Sequence, residues 1–126
     1  MKQKVYLAGG FTSNWRDRIK ELSNLNFIDP KEKELKKEFQ WNEYGCWDLH
    51  FIKQCDICFV YMERINPSGY GLAVEIGYAK ALGKTVVLVL ELNHETVKDK
   101  YLLFLKTASD IVYDNLQDGI NYLASF

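Results

Sequence analysis

Glu75 is the residue whose surroundings in the sequence point most clearly to chemistry. The residues three and four positions away share its side of an expected helix and are small or apolar: Gly71, Leu72, Tyr78 and Ala79. A carboxylate on the apolar side of a helix is unusual and requires an explanation. Helix capping explains it poorly, because the obvious cap, Ser68, would place Gly71 at the third helical position. A carboxylate that acts as a nucleophile or a proton carrier is therefore favoured.

Asp48 and Tyr6 are the two residues that could assist Glu75. Asp48 lies where a helix is expected to start, so a capping or helix-dipole role would explain it alone. Tyr6 stands between Val5 and Leu7 in a short apolar strand, which is typical of a core tyrosine with a hydrogen-bonded hydroxyl. Neither residue indicates a site by itself.

The elements around these residues predict how they meet. Apolar stretches at 5–8, 27–28, 57–61, 85–90 and 111–113 alternate with helical patterns. This order predicts a single α/β domain over residues 1–126, with a flavodoxin-like (Rossmann-like) three-layer fold and a five-stranded parallel sheet. Ligands of such sheets bind beyond the carboxyl ends of the strands. We expect Tyr6 near the exit of the first strand, Asp48 at the start of the helix that enters the third, and Glu75 early in the helix that leaves it.

The helical segments follow from apolar spacing and from helix-ending residues. The first helix follows residues 12–14, the charged segment 31–38 is expected to be a solvated helix or loop, and a helix containing Trp47 and Phe51 precedes the third strand. A helix over 72–82 ends at Gly83. Further helices are expected at 101–105 and 116–123.

The turn after the first strand offers a weak anion site. Gly9 and Gly10 could present backbone N–H groups, and the hydroxyls of Thr12 and Ser13 could add donors. Arg16 would be the nearby cation. We expect Arg16 to point to solvent, so the phosphate site is incomplete on sequence grounds.

Cys55 and Cys58 have the spacing of a redox or metal-binding pair, but the sequence argues against both uses. A redox CxxC motif opens a helix, whereas this one enters a strand, and we expect the two thiols to point to different faces. His50 and His94 are isolated, and there is no second cysteine pair. No metal site is predicted.

Composition restricts the partner classes. Sixteen Lys and Arg against seventeen Asp and Glu give a net charge of −1, which argues against nucleic acid polymers and anionic membranes. The longest aliphatic run, 86–90, is far shorter than the ~20 residues that span a bilayer, and no signal peptide is evident at the N-terminus. We expect a cytoplasmic protein that acts on a small molecule.

Three stretches together resemble the nucleoside 2-deoxyribosyltransferase family and the related 2′-deoxynucleoside 5′-phosphate N-hydrolases. They are Val5-Tyr6-Leu7-Ala8-Gly9-Gly10-Phe11, then Trp47-Asp48-Leu49 running into Cys55-Asp56-Ile57, and Gly71-Leu72-Ala73-Val74-Glu75-Ile76-Gly77-Tyr78-Ala79 with Leu82-Gly83-Lys84. The last stretch is the most specific, and the three in order cover most of the chain.

The resemblance implies roles for these residues. Glu75 matches the family nucleophile, Tyr6 matches the tyrosine that holds this carboxylate, and Asp48 matches an aspartate at the sugar and base. Substrate contacts are implied for Gly9, Gly10, Phe11, Gly69 and Gly71. A carboxylate that captures C1′ of a nucleoside would form a covalent glycosyl-enzyme, as in retaining glycosidases. No cofactor is implied.

The sequence also departs from the family pattern. Gly69 stands where family transferases often have a base-recognising aspartate, six residues before the nucleophile. Family sites are commonly completed by a neighbouring subunit near the last strand. The usual asparagine is missing from that segment, where Ser109 or Asp110 could substitute, and a homo-oligomer with shared active sites is implied.

Three functions remain open on the sequence. The first is cleavage or transfer at the N-glycosidic bond of a 2′-deoxynucleoside, and the second is hydrolysis of a nucleoside 5′-monophosphate that releases the free base. The third is a non-catalytic nucleotide-binding or sensing module, which the loss of an aspartate at Gly69 makes plausible. Retention of Tyr6, Asp48 and Glu75 favours an enzyme, because binding alone does not need a carboxylate on an apolar helix face.

Overall fold

A five-stranded parallel sheet organises the protein. The computed structural model describes residues 1–34, 41–64, 69–91 and 102–126. The strands are β1 (Gln3–Gly9), β2 (Leu25–Ile28), β3 (Ile57–Met62), β4 (Thr85–Leu90) and β5 (Ile111–Tyr113). Their order in the sheet is β2-β1-β3-β4-β5, and every neighbouring pair is parallel. This arrangement confirms the predicted flavodoxin-like fold.

Helices cover both faces of the sheet. The α-helices are α1 (Trp15–Lys20), α2 (Pro30–Glu34), α3 (Trp41–Gln54), α4 (Tyr70–Ala81) and α5 (Leu116–Ala124), and a 3₁₀ helix spans Leu103–Ala108. Side chains of α3, α4 and the 3₁₀ helix pack with one set of alternating strand residues, and those of α1 and α5 pack with the other. None of these described helices is long and apolar enough to cross a membrane.

The central strands are apolar on both faces because both faces are covered. All six residues of β3 are buried, as are five of the six in β4, which is the pattern of a strand inside a parallel sheet. The register pairs Tyr6 of β1 with Cys58 of β3, and Cys58 with Val86 of β4. Tyr6 therefore lies three residues before the carboxyl end of β1, within the sheet and below its edge.

Several predicted elements differ from the observed ones. The helix before β3 begins at Trp41, so Asp48 lies in its middle and the prediction that Asp48 starts a helix is wrong. The segment before β5 is a 3₁₀ helix at Leu103–Ala108. Of the charged stretch 31–38, residues 31–34 belong to α2, and 35–38 lie outside the described residues.

Two glycines are required by the backbone at element ends. A Cβ on Gly9 would come within 2.7 Å of both the Tyr61 carbonyl oxygen and the Trp15 ring, so β1 can end against β3 and α1 only with a glycine there. Gly83 has φ +75° and follows α4, as expected for a residue that ends a helix.

Candidate active site

Tyr6, Asp48 and Glu75 meet between the sheet and the two helices α3 and α4. Tyr6 comes from β1 and is 1% exposed, Asp48 comes from the middle of α3, and Glu75 comes from the second turn of α4. The negative charges of Asp48 and Glu75 both raise the pKa of the Tyr6 hydroxyl. The three residues that the sequence singled out therefore form one group.

Burial and a like charge set the protonation of Glu75. Burial and, next in size, the neighbouring Asp48 charge together raise the pKa of its carboxyl from 4.5 to about 7. The Tyr6 hydroxyl and the Arg16 guanidinium oppose this rise. A carboxyl group with a pKa near neutral can alternate between an ionised nucleophile and a neutral acid under ordinary conditions.

Tyr6 is held as a neutral hydroxyl that points at a carboxylate. Burial raises the pKa of Tyr6 far above its ordinary value, and the facing Glu75 raises it again. The Tyr6 hydroxyl and Oε2 of Glu75 are nevertheless buried without a hydrogen bond of ordinary geometry to any part of the chain that the structure describes. An unpaired buried polar atom costs about 1–3 kcal/mol. Two of them in one place call for an explanation, and a bound ligand that hydrogen-bonds to them would provide one.

Gly9, Gly10 and Phe11 form the β1–α1 turn, and Arg16 fills its interior. Arg16 is 2% exposed and forms an ion pair with Asp29, with 2.8 Å between Nε and Oδ1. The expectation that Arg16 points to solvent is wrong. Its guanidinium also donates to backbone carbonyls of this turn. This pair could not be predicted from the sequence, because it connects α1 with the end of β2. The one available signal was an aspartate, Asp29, directly after a short apolar strand.

Gly69 and Gly71 frame the start of α4. Gly69 is its N-cap and is buried, and a Cβ there would lie 2.9 Å from the methyl carbon of Met62 and 3.3 Å from Leu102. Gly71 is exposed, with open space where a side chain would stand. Ser68, which the sequence offers as a possible cap of this helix, lies outside the described residues. The position where the family pattern often has a carboxylate is therefore occupied by a glycine among apolar side chains.

Ser109 and Asp110 are engaged within their own chain. The Ser109 hydroxyl donates to the Leu105 carbonyl at 2.9 Å. Asp110 accepts from the Val86 backbone N–H at 2.7 Å and from Lys80 at 2.8 Å, and these bonds lower the pKa of its carboxyl. The hydrogen bonds that the structure gives these two residues are with Leu105, Val86 and Lys80, and not with Glu75.

Cys55 and Cys58 lie in one part of the core. Cys55 and Cys58 are buried in the same core cluster, so the expectation of different faces is wrong. Cys55 precedes β3, where strand alternation does not apply, and its thiol donates to the Ile52 carbonyl at 3.1 Å. Among the described residues, no group of three His, Cys, Asp or Glu side chains is placed to hold a metal ion.

Comparison with known proteins places this chain in a family of enzymes that act on nucleosides. A family model described as nucleoside 2-deoxyribosyltransferase like matches residues 2–92. The chain belongs to this family, which confirms the resemblance found in the sequence. At the sequence level, no curated protein matches the chain.

Solved structures agree with this assignment. A 2-deoxyribosyltransferase from the psychrotolerant bacterium Bacillus psychrosaccharolyticus is 25% identical, with a TM-score of 0.67 over 94% of this chain and 91% of that one. A 2-deoxyribosyltransferase from Leishmania mexicana is 18% identical, with a TM-score of 0.70 over 98% and 97%. A CMP N-glycosidase from Clostridium botulinum is 19% identical, with a TM-score of 0.62 over 98% and 100%. The last two share the fold.

Proposed function

We propose that this protein cleaves the N-glycosidic bond of a 2′-deoxynucleoside, with Glu75 as the nucleophile. The observation that supports this most strongly is at Glu75, a half-buried residue whose Oε2 is buried beside the Tyr6 hydroxyl without a hydrogen bond of ordinary geometry to the described part of the chain. A structural carboxylate at this depth would be expected to have its hydrogen bonds satisfied. A nucleophile must instead keep an oxygen available for the reacting carbon.

The proposed reaction has two steps. One Glu75 oxygen bonds to C1′ as the bond between C1′ and the base nitrogen breaks, and the departing base takes a proton. The resulting ester is then attacked at C1′ by a nitrogen of a second base or by water, which loses a proton and frees the carboxylate. The first acceptor gives transfer and the second gives hydrolysis.

Asp48 and Tyr6 are given supporting roles in this reaction. Asp48 is the second carboxylate of the group, and its proposed role is to carry the proton to and from the base. Tyr6 stays protonated, so its hydroxyl can orient the Glu75 carboxylate and stabilise it when it is released. Neither role requires a cofactor.

We favour an unphosphorylated substrate over a 5′-monophosphate. Holding a phosphate requires several donors or a cation at the mouth of the site, and the donors of Arg16 are already directed at Asp29 and backbone carbonyls. Thr12 and Ser13 remain as hydroxyl donors. Hydrolysis of a nucleoside 5′-monophosphate is the alternative that a substrate screen would reveal.

The activity is tested with purified protein and a panel of nucleosides and 5′-monophosphates, with and without a free acceptor base. Free base release is followed by chromatography. Wild-type protein should act on a 2′-deoxynucleoside, Glu75→Ala should be inactive while folded, and Glu21→Ala, which removes an exposed glutamate at the end of α1, should be unaffected. Failure of the wild type on the whole panel would support a non-catalytic binding module instead.

A homo-oligomer is the second part of the proposal. The helix that holds Glu75 exposes Tyr70 (87%) and Val74 (61%) one turn apart, and Phe104 of the 3₁₀ helix is 76% exposed. Adjacent exposed apolar residues such as Tyr70 and Val74 form an apolar patch, and a large patch of this kind is typical of an interface. A neighbouring copy would add a wall that excludes water from an oxocarbenium-like centre, with Ser109 and Asp110 of its chain as the proposed contributors.

Light scattering at the assay concentration tests the oligomer. Val74→Glu should reduce both the oligomer mass and the activity, whereas Lys53→Glu on the exposed part of α3 should change neither. A fully active monomer would remove this part of the proposal and leave the role of Glu75 intact.

A further inference from the structure

Arg16 is a charged side chain buried next to the candidate site. Its side chain is 3% exposed, as is that of its ion-pair partner Asp29. Burial lowers the pKa of Arg16, and the Asp29 charge opposes that change. A guanidinium stays protonated in proteins, so this is a fixed positive charge within the fold.

Every nitrogen of the Arg16 guanidinium donates a hydrogen bond. Nε donates to Asp29, Nη1 donates to the Gly10 carbonyl, and Nη2 donates to the carbonyls of Leu7 and Gly9 at 3.3 and 3.0 Å. Three of these acceptors belong to the last part of β1 and the turn that follows. The planar, forked donor set of an arginine matches such divergent acceptors, and a lysine cannot.

Aromatic rings and a second ion pair hold this arrangement in place. The guanidinium carbon lies 4.6 Å from the centre of the Phe11 ring and 4.4 Å from that of Trp15. Asp29 is also bound by Lys20 at 2.6 Å. The pair thus fixes the turn that contains Gly9, Gly10 and Phe11 against α1 and the end of β2.

The same guanidinium acts on Glu75 through its charge. Four groups, each on a different element, interact electrostatically with the Glu75 carboxylate. Tyr6 of β1, Arg16 of α1 and Asp48 of α3 shift its pKa, and its charge raises the pKa of Cys58 of β3. Arg16 is the cation in this set. Its positive charge lowers the pKa of Glu75, whereas burial and Asp48 raise it.

We propose that Arg16, held by Asp29, is a positioning residue that shapes the 9–11 turn as a wall of the substrate site. This inference rests on the proposed function of Glu75. The hydrogen-bond geometry of the side chain serves substrate binding, and its charge has a second, separately testable effect on the ionisation of Glu75. A buried ion pair with a purely structural role would contribute to folding only.

Two variants separate the tasks. Arg16→Lys keeps the charge and loses most of the carbonyl contacts, so KM should rise at least tenfold while the acid limb of the pH profile stays where it is. Arg16→Met also loses the charge, so the acid limb should in addition move to higher pH and kcat at neutral pH should fall. Arg18→Met, which removes an exposed arginine of the same helix, is the control and should match the wild type.

A readout without turnover keeps this inference distinct from the proposed function. The carboxyl resonance of Glu75, labelled with ¹³C and assigned by its loss in Glu75→Gln, should titrate at higher pH in Arg16→Met than in the wild type and in Arg16→Lys. A wild type without activity but with this titration pattern would contradict the proposed function alone. An unchanged titration in folded Arg16→Met would overturn the charge role. An unchanged KM in Arg16→Lys would overturn the positioning role. This outcome does not depend on whether Arg16→Met folds.

Discussion

Tyr6 of β1 directs its hydroxyl at the Glu75 carboxylate of α4, and both the hydroxyl and Oε2 are buried without a hydrogen bond of ordinary geometry within the described part of the chain. Catalytic hydrogen bonds are often long in a free enzyme and shorten when the substrate binds. We interpret the pair in this way. Tyr6 is close enough to steady the carboxylate, and one carboxylate oxygen remains for the sugar.

The pKa of Glu75 predicts the pH dependence of activity. Burial and the Asp48 charge raise it to about 7, and the nucleophile must be ionised. The value of kcat/KM, which reports the free enzyme, should therefore rise with pH and level off above an apparent pKa near 7. An acid limb near pH 4.5, the ordinary value for a glutamate, would show that Glu75 is not the group that must be ionised.

Glu75 should also make the protein less stable as the pH rises. Its pKa in the folded state, about 7, lies above its ordinary value of 4.5, so the folded state binds the proton more tightly than the unfolded state. The free energy of unfolding therefore falls between these two values as the group ionises, by on the order of 3 kcal/mol at pH 8. Glu75→Gln removes this loss.

Denaturant unfolding of the wild type and Glu75→Gln at pH 4 and pH 8 measures the effect. The two proteins should be similar at pH 4, and the variant should be the more stable one at pH 8. A variant that is destabilised equally at both values would mean that the carboxylate contributes to folding, contrary to its proposed role.

Tyr6→Phe should separate catalysis from stability. The hydroxyl is buried and makes no hydrogen bond of ordinary geometry among the described residues, so its removal should not lower the free energy of unfolding and should raise it by up to about 1–3 kcal/mol. The catalytic rate should fall by about 10²-fold, the order seen when one stabilising donor is lost. Because Tyr6 lowers the pKa of Glu75, the acid limb should also move to higher pH. Kinetics across pH and thermal unfolding of the same sample check all three effects.

The state of Arg16 predicts the substrate preference. Its donors are used inside the protein, so a 5′-phosphate gains no cation from it, and kcat/KM should be higher for a 2′-deoxynucleoside than for its 5′-monophosphate. Competition between the two substrates in one assay measures the ratio. A tenfold preference for the monophosphate, about 1.4 kcal/mol in transition-state binding, would instead favour the nucleotide hydrolase.

The fold was predictable because its signals are local. Runs such as 85–90 are apolar without alternation, which only a strand covered on both faces explains. The rule that ligands bind near the carboxyl ends of parallel strands then brought Tyr6 and Glu75 to the same region. Their meeting followed from topology, without any knowledge of side-chain packing.

The missed features depend on contacts that are distant in sequence or on weak local preferences. Arg16 is buried because β1 pairs with β2 and brings Asp29 beside it, and a six-residue helix gives no periodic signal of that. The early start of α3 was missed because Gly45 interrupts its first turns, and glycine inside a helix is unfavourable by about 1 kcal/mol relative to alanine. Asp48 consequently appeared to begin a helix that it lies within.

Intact-mass spectrometry with a 2-fluoro-2-deoxy nucleoside tests the central claim most directly. The fluorine should slow breakdown of a glycosyl-enzyme, so the protein should gain the mass of one fluorinated pentosyl group, and peptide mapping should place it on Glu75. Glu75→Gln should gain no mass, and Glu21→Gln should be labelled like the wild type. Release of the base by the wild type without any adduct, or an adduct on a residue other than Glu75, would contradict the account.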